Sequence, residues 1–265
     1  MTNPWLTVPA TNRRAGMRLF CFPYAGGGAT IFRTWRDHLP ETVDVCPVNL
    51  PGRESRIREQ PRTDLGGLVG DIARAMLPHL DKPFAVFGHS MGAVLAFEVT
   101  RRLRREYGAS PAHLFVSGHR APQVKGQRRT YDLPEPEFIQ VLHNLNGMVR
   151  EVLQHPELLE LMLPLLRADF TLCETYDFVP GPPLDCPLTA LGGLLDLDVT
   201  HEHLGLWREQ TTGPFTVRML PGDHFFIRSD QALLLRAVAR DLHKTLGAQA
   251  AARMPQAGVA QPLNA

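Results

Sequence analysis

Gly88-His89-Ser90-Met91-Gly92 places a serine between two glycines, directly after the apolar run Phe84-Ala85-Val86-Phe87 and directly before Ala93-Val94-Leu95-Ala96-Phe97. A serine on a sharp strand-to-helix turn has its hydroxyl lifted clear of the sheet, and flanking glycines give such a turn room. Ser90 is therefore the candidate nucleophile. Its hydroxyl needs a base to take the proton, and the base needs a carboxylate to fix its tautomer. Both follow, in the order Ser, Asp, His, at the ends of later strand-like runs. Leu188-Thr189-Ala190-Leu191 leads into Gly192-Gly193-Leu194-Leu195-Asp196-Leu197-Asp198, and Phe215 to Leu220 leads into Pro221-Gly222-Asp223-His224. Of the 11 histidines, His224 lies just past a late strand in a glycine-containing loop and is the candidate base. Asp196 is the first choice for the acid and Asp198 the alternative. Asp223, the neighbour of His224, is expected to hold the loop.

Acyl transfer also needs amide donors where negative charge develops on the carbonyl oxygen. The N–H of Met91, the residue after the nucleophile, is one candidate. The N–H of Ala25, in the turn Pro23-Tyr24-Ala25-Gly26-Gly27-Gly28, is the other. A glycine-rich turn can instead cradle a phosphate, but no Gly-Lys-Ser/Thr follows this one. His201-Glu202-His203 lacks the His-Glu-x-x-His spacing of a zinc-binding helix, so neither metal nor cofactor is expected.

These residues must be positioned by alternating strands and helices. Strands are predicted at Arg18–Phe22, Val43–Val48, Phe84–Phe87, His113–Gly118, Leu188–Leu191 and Phe215–Leu220. Helices are predicted at Ile31–Leu39, at Asp64–Leu80 with Asp64 as N-cap, at Met91–Tyr107 and at Gln231–Leu246. That alternation predicts a mostly parallel sheet covered on both faces, an α/β fold in one domain over residues 1–247. Between about 119 and 186 the rhythm breaks into two helical stretches, Glu135–Leu145 and Pro156–Tyr176, which read as an inserted lid. Its apolar residues, among them Phe138, Leu142, Met148, Met162 and Leu166, are candidates for an acyl pocket as well as for the lid's own packing. Residues 248–265, rich in Ala, Gln and Pro, are expected to be disordered.

The 265 residues are 44% hydrophobic and 21% charged, with a formal net charge of +1. Such a balance supports a sizeable core and gives no general attraction to nucleic acid or anionic membrane. No apolar run approaches the roughly 18 residues of a membrane span, and the first residues lack a signal-type apolar stretch. Cys21, Cys46, Cys173 and Cys186 are scattered without a Cys-x-x-Cys pair. A cytoplasmic, monomeric protein with free thiols is expected.

Six stretches in order carry a family resemblance: Phe22-Pro23-Tyr24-Ala25-Gly26-Gly27, Leu50-Pro51-Gly52-Arg53, Phe87-Gly88-His89-Ser90-Met91-Gly92, Ala190-Leu191-Gly192-Gly193, Trp207-Arg208-Glu209 and Pro221-Gly222-Asp223-His224-Phe225-Phe226. From about Arg18 to Leu242 the chain resembles the type II thioesterases that accompany polyketide synthases and nonribosomal peptide synthetases. The resemblance implies an α/β-hydrolase fold with a helical lid. It implies hydrolysis of acyl thioesters on the phosphopantetheine arm of acyl or peptidyl carrier proteins, clearing aberrant or stalled units. Ser90 matches the nucleophile, His224 the base, Asp196 the acid, and Ala25 and Met91 the oxyanion positions. The family usually shows Asp-Pro at the acid, whereas Leu197 follows Asp196 here, which keeps Asp198 open. A chain-releasing fatty acyl-carrier-protein thioesterase or a general carboxylesterase is the alternative, since a Ser-His-Asp set does not separate thioester from ester. The basic runs Arg101, Arg102, Arg104, Arg105 and Arg128-Arg129 are candidate docking patches for an acidic carrier.

Overall fold

Five of the six strands are mostly apolar runs buried along nearly their whole length, the pattern of strands covered on both faces. The computed structural model describes residues 3–8, 12, 14–126, 129–144 and 155–253. Its strands are β1 (Met17–Phe22), β2 (Val43–Pro47), β3 (Phe84–His89), β4 (His113–Ser117), β5 (Leu188–Gly193) and β6 (Phe215–Leu220). They lie in the order β2-β1-β3-β4-β5-β6, and every pairing is parallel. Edge strand β6 is half-buried except at Leu220.

Helices α1 (Leu65–Met76) and α2 (Met91–Tyr107) cover one face, where Leu68, Ile72, Ala93, Leu95, Phe97 and Val99 pack on Phe20, Val86, Leu114 and Val116. On the opposite face Phe32, Trp35, Leu234, Leu235 and Val238 pack on Leu19, Ala85, Phe87 and Phe115. The segment after β4 carries α3 (Glu135–Asn144) and α4 (Pro156–Glu174). Two short helices follow, α5 (His201–Gly205) and α6 (Phe226–Ser229), and then α7 (Gln231–Arg253).

Local chemistry sets the element ends. Asp64 caps α1 by accepting from the Gly66 and Gly67 amides, and Gly108 ends α2 in the left-handed conformation. The helix expected through Leu80 stops at Met76 and tightens into a 3-10 turn, because Pro78 has no N–H for the ladder. The helix expected at Ile31–Leu39 is two 3-10 turns, Ala29–Phe32 and Trp35–Asp37, just long enough to bury Phe32 and Trp35. The last helix continues to Arg253, past the expected boundary at Gly247. Ala248, Ala250, Ala251 and Ala252 are the strongest helix formers, so the tail expected to be disordered is helical through 253. Residues 254–265 lie outside the described residues, as do Leu145, Met148, Val152, Leu153 and Arg128. No helix among the described residues is long and apolar enough to cross a membrane. All four cysteines are free.

Candidate active site

The parallel sheet brings the carboxyl ends of β1, β3, β4, β5 and β6 to one edge, and the loops leaving that edge carry the candidate residues. Between β3 and α2, Ser90 has φ 53° and ψ −119°. A non-glycine residue there costs about 1–3 kcal/mol and persists only where its surroundings over-determine it. Its N–H donates to the Ser117 carbonyl at 2.7 Å and its carbonyl accepts from Ala93 at 2.8 Å. The flanking glycines are sterically required. A Cβ at Gly88 would lie 1.9 Å from the Gly92 carbonyl oxygen, and one at Gly92 would lie 2.2 Å from that of Phe22. The bare Gly92 backbone thus lets the turn after β1 pack directly on the first turn of α2.

His224 Nε2 lies 3.0 Å from Ser90 Oγ, and His224 Nδ1 lies 2.7 Å from Asp196 Oδ2. These are hydrogen-bonding distances for proton transfer from the serine to an imidazole oriented by a carboxylate. The acid loop is stitched to the base loop by Leu194 N–H to Leu220 O, 2.8 Å, and Leu195 N–H to Gly222 O, 2.9 Å. Gly193 permits this approach, since a Cβ there would meet the Asp223 carbonyl oxygen at 2.4 Å. Asp196 Oδ1 accepts from the Asp198 and Val199 amides at 3.0 and 3.1 Å. Burial pushes the Asp196 carboxyl up, but the His224 bond and these two amides outweigh it and hold it below its ordinary value. The Asp196 side chain is 2% exposed and that of His224 26%. Between the two open candidates, the structure brings Asp196 to His224, while Asp198 contributes its backbone N–H. Leu197, where the family shows proline, is 95% exposed. Asp223 holds its loop by accepting from Phe225 N–H at 2.8 Å.

At the oxyanion side, Tyr24 to Gly27 is a turn closed by Gly27 N–H to Tyr24 O, 2.9 Å. The Gly26 N–H goes to Asp169 Oδ2. The Ala29 and Thr30 amides go to the Glu54 carboxylate. None of the hydrogen bonds among the described residues uses the N–H of Ala25 or of Met91. Among the described residues these two amides have no acceptor, while those of Gly26, Ala29 and Thr30 are occupied by this chain's own carboxylates.

Three functional details escaped the sequence reading. His89, fully buried, places Nε2 2.9 Å from the His224 carbonyl and Nδ1 2.9 Å from Ser117 Oγ. A carbonyl only accepts, so Nε2 carries the proton and Nδ1 accepts from the serine hydroxyl. Burial pushes His89 well below its ordinary pKa, which keeps it neutral. Asp169 and Arg53 form a buried pair beneath the Ala25 turn. Trp207 Nε1 donates to the His119 carbonyl at 2.8 Å, pinning the end of β4.

Two groups of residues that the sequence left open are at least partly committed to the chain's own packing. Arg101 and Arg104 donate to the carbonyls of Val179, Pro182 and Pro183, Arg102 pairs with Glu106, and Arg101 with Glu98. Much of this basic run therefore clamps the 179–183 loop to α2. Phe138, Leu142, Leu163 and Leu166 form a small core of their own with Ile139 and Met162, so these residues pack α3 on α4.

Residues 17–246 match the sequence model of the Thioesterase domain family. Linear gramicidin dehydrogenase LgrE of Brevibacillus parabrevis is 45% identical over 91% of this chain and 94% of its own length. The RedJ thioesterase of the prodiginine pathway in Streptomyces coelicolor is 43% identical, covers 88% of this chain and 90% of that one, and superposes with a TM-score of 0.81. The type II thioesterase BorB of the borrelidin cluster is 32% identical over 92% of this chain and 98% of that one, with a TM-score of 0.81. Although the name of LgrE is a dehydrogenase's, the site here is a Ser-His-Asp set on a strained strand-to-helix turn. The chain belongs to the thioesterase family, among the type II thioesterases of nonribosomal-peptide and polyketide pathways.

Proposed function

We propose that this protein hydrolyses acyl thioesters carried on the phosphopantetheine arm of acyl or peptidyl carrier proteins, removing aberrant or stalled units. It works in the cytoplasm as a monomer and needs no cofactor of its own. The observation that carries the reading is the Ser90–His224–Asp196 hydrogen-bond chain at 3.0 and 2.7 Å. His224 takes the Ser90 proton as Oγ attacks the thioester carbonyl, and Asp196 stabilises the imidazolium. The oxyanion is held by the Ala25 and Met91 amides. Collapse of the tetrahedral intermediate breaks the C–S bond. Thiols ionise near pH 8.5, so the pantetheine sulfur leaves readily, and it takes up the proton from the imidazolium, which returns His224 to its neutral form. Water, deprotonated by His224, then attacks the Ser90 ester and releases the acid. The thioester preference is supported by the family membership, and the removal of units from carriers by relatives named for gramicidin S biosynthesis and for the yersiniabactin NRPS/PKS pathway.

The test compares one acyl group on a carrier protein, on a short pantetheine-like thiol and as a p-nitrophenyl ester. The proposal expects kcat/KM to be highest for the carrier. Efficient ester hydrolysis with no turnover of any acyl carrier would assign the protein to the carboxylesterases instead.

A further inference from the structure

Asp169 of α4 is fully buried, and both its oxygens are engaged beside the turn that carries Ala25. Oδ2 accepts from the Gly26 N–H at 2.7 Å and from Arg53 Nη1 at 2.8 Å, while Oδ1 accepts from Arg53 Nη2 at 2.8 Å. Arg53 Nη1 also donates to the Gly27 carbonyl at 3.0 Å, and Nε to that of Pro51 at 3.3 Å. The Arg53 and Asp169 side chains are 7% and 1% exposed. Two side chains from two parts of the chain thus converge on one β-turn.

The geometry of that turn gives the convergence a purpose. Gly26, third of the four turn residues, has φ 76°, the type II arrangement. The Tyr24–Ala25 peptide is planar and trans, so its carbonyl and N–H point in opposite directions. The closing bond from Gly27 turns the carbonyl inward, and the Ala25 N–H therefore faces out of the turn. Type I and type II turns differ by a flip of the next peptide, the one whose N–H belongs to Gly26. Asp169 holds that N–H, and Arg53 holds the Gly27 carbonyl. Charge matters as well, since a lone carboxylate one peptide away from Ala25 would oppose the negative oxygen of the tetrahedral intermediate. The bidentate guanidinium cancels it.

We propose that Asp169 and Arg53 are positioning residues for the oxyanion site: by holding the Gly26 N–H and the Gly27 carbonyl they anchor the Tyr24–Gly27 turn, and with it the Ala25 N–H that the closing bond turns outward. Helix α4, in the segment inserted after β4, thereby takes part in catalysis without touching substrate. The inference rests on the reading of Ala25 as an oxyanion donor, and the test separates the two.

Ala25→Pro is the reference variant, because proline suits the second position of a type II turn and deletes the N–H. Each variant is assayed for kcat and KM on an acyl-carrier thioester, for melting temperature, and for inhibition by an alkyl trifluoromethyl ketone, whose hemiketal oxygen on Ser90 occupies the oxyanion position. Ala25→Pro and Asp169→Ala are each expected to lower kcat about 100-fold, with KM within about threefold and ketone affinity falling in parallel. Combined, they should cost little more than either alone. Arg53→Met leaves the carboxylate unpaired, and adding Asp169→Asn to it should recover about tenfold in kcat by restoring neutrality. That double variant also stands in if Asp169→Ala fails to fold. A harmless Ala25→Pro sinks the oxyanion reading. A damaging Ala25→Pro beside Asp169 and Arg53 variants that keep kcat and ketone affinity, and lose only melting temperature, overturns the positioning role.

Discussion

His89 Nε2 lies 2.9 Å from the backbone carbonyl oxygen of His224, and Nδ1 of the same buried ring lies 2.9 Å from the Ser117 hydroxyl. The residue before Ser90 thus braces the His224 backbone against the end of β4. His89→Phe fills the space but leaves the carbonyl and the hydroxyl without partners. Its expected cost is about 2 kcal/mol in stability, seen as a lower urea midpoint. A fall in kcat should accompany it, with His89→Gln retaining more of both. A His89→Phe variant of undiminished stability and kcat would show the brace to be idle.

Asp196 and Asp198 should separate cleanly. Asp196→Asn removes the carboxylate that fixes the His224 tautomer and should lower kcat by about 10³–10⁴-fold. Asp198 serves through its backbone N–H, which substitution leaves in place, so Asp198→Asn should change kcat by less than about threefold. Steady-state kinetics on one acyl carrier decides it, and a larger defect at 198 would reverse the assignment.

Stability should fall on acidification. Burial holds His89 well below its ordinary pKa and lowers His113 and His119 to about 4. The unfolded chain therefore binds protons below about 6.5 that the folded chain does not. Each such histidine contributes stability that is complete above that pH. It is lost by about 1.4 kcal/mol per pH unit on the way down to its folded pKa. Asp196, lowered in the fold, adds its loss only below its ordinary carboxylate value. Unfolding free energies from urea titrations between pH 7 and pH 5 should decline, each such histidine adding up to about 1.4 kcal/mol per pH unit, and His113→Gln should make the decline shallower. A flat profile would contradict the neutral buried histidines.

Gly92 is the contact between α2 and the chain leaving β1. A Cβ there meets the Phe22 carbonyl oxygen at 2.2 Å and that of Pro23 at 2.7 Å, both rigid backbone atoms. Gly92→Ala should therefore destabilise the protein by at least about 2 kcal/mol and depress kcat together with the melting temperature. An alanine variant with wild-type melting and rate would show the contact to be looser than the structure has it.

Ser90, Asp196 and His224 were readable as a set because they follow strand-like runs in a fixed order. The fold was readable for the same reason. Asp169 was not, because a carboxylate in a helical stretch reads as a solvated charge until the fold sets it against Arg53, 116 residues away. The partners of Arg101 and Arg104 were not readable either: they include the carbonyls of Val179, Pro182 and Pro183, and backbone acceptors leave no trace in a charge pattern. Helix ends failed where local propensity outvoted periodicity, at Pro78 and along the alanines after Gly247.

The most direct measurement is the intact mass of an acyl-loaded carrier protein mixed with the enzyme or with its Ser90→Ala variant. The wild type should return the carrier to its free-thiol mass, with Ser90→Ala slower by at least about 10⁴-fold. A carrier that keeps its acyl group beside the wild type, or loses it equally fast beside Ser90→Ala, would contradict the account.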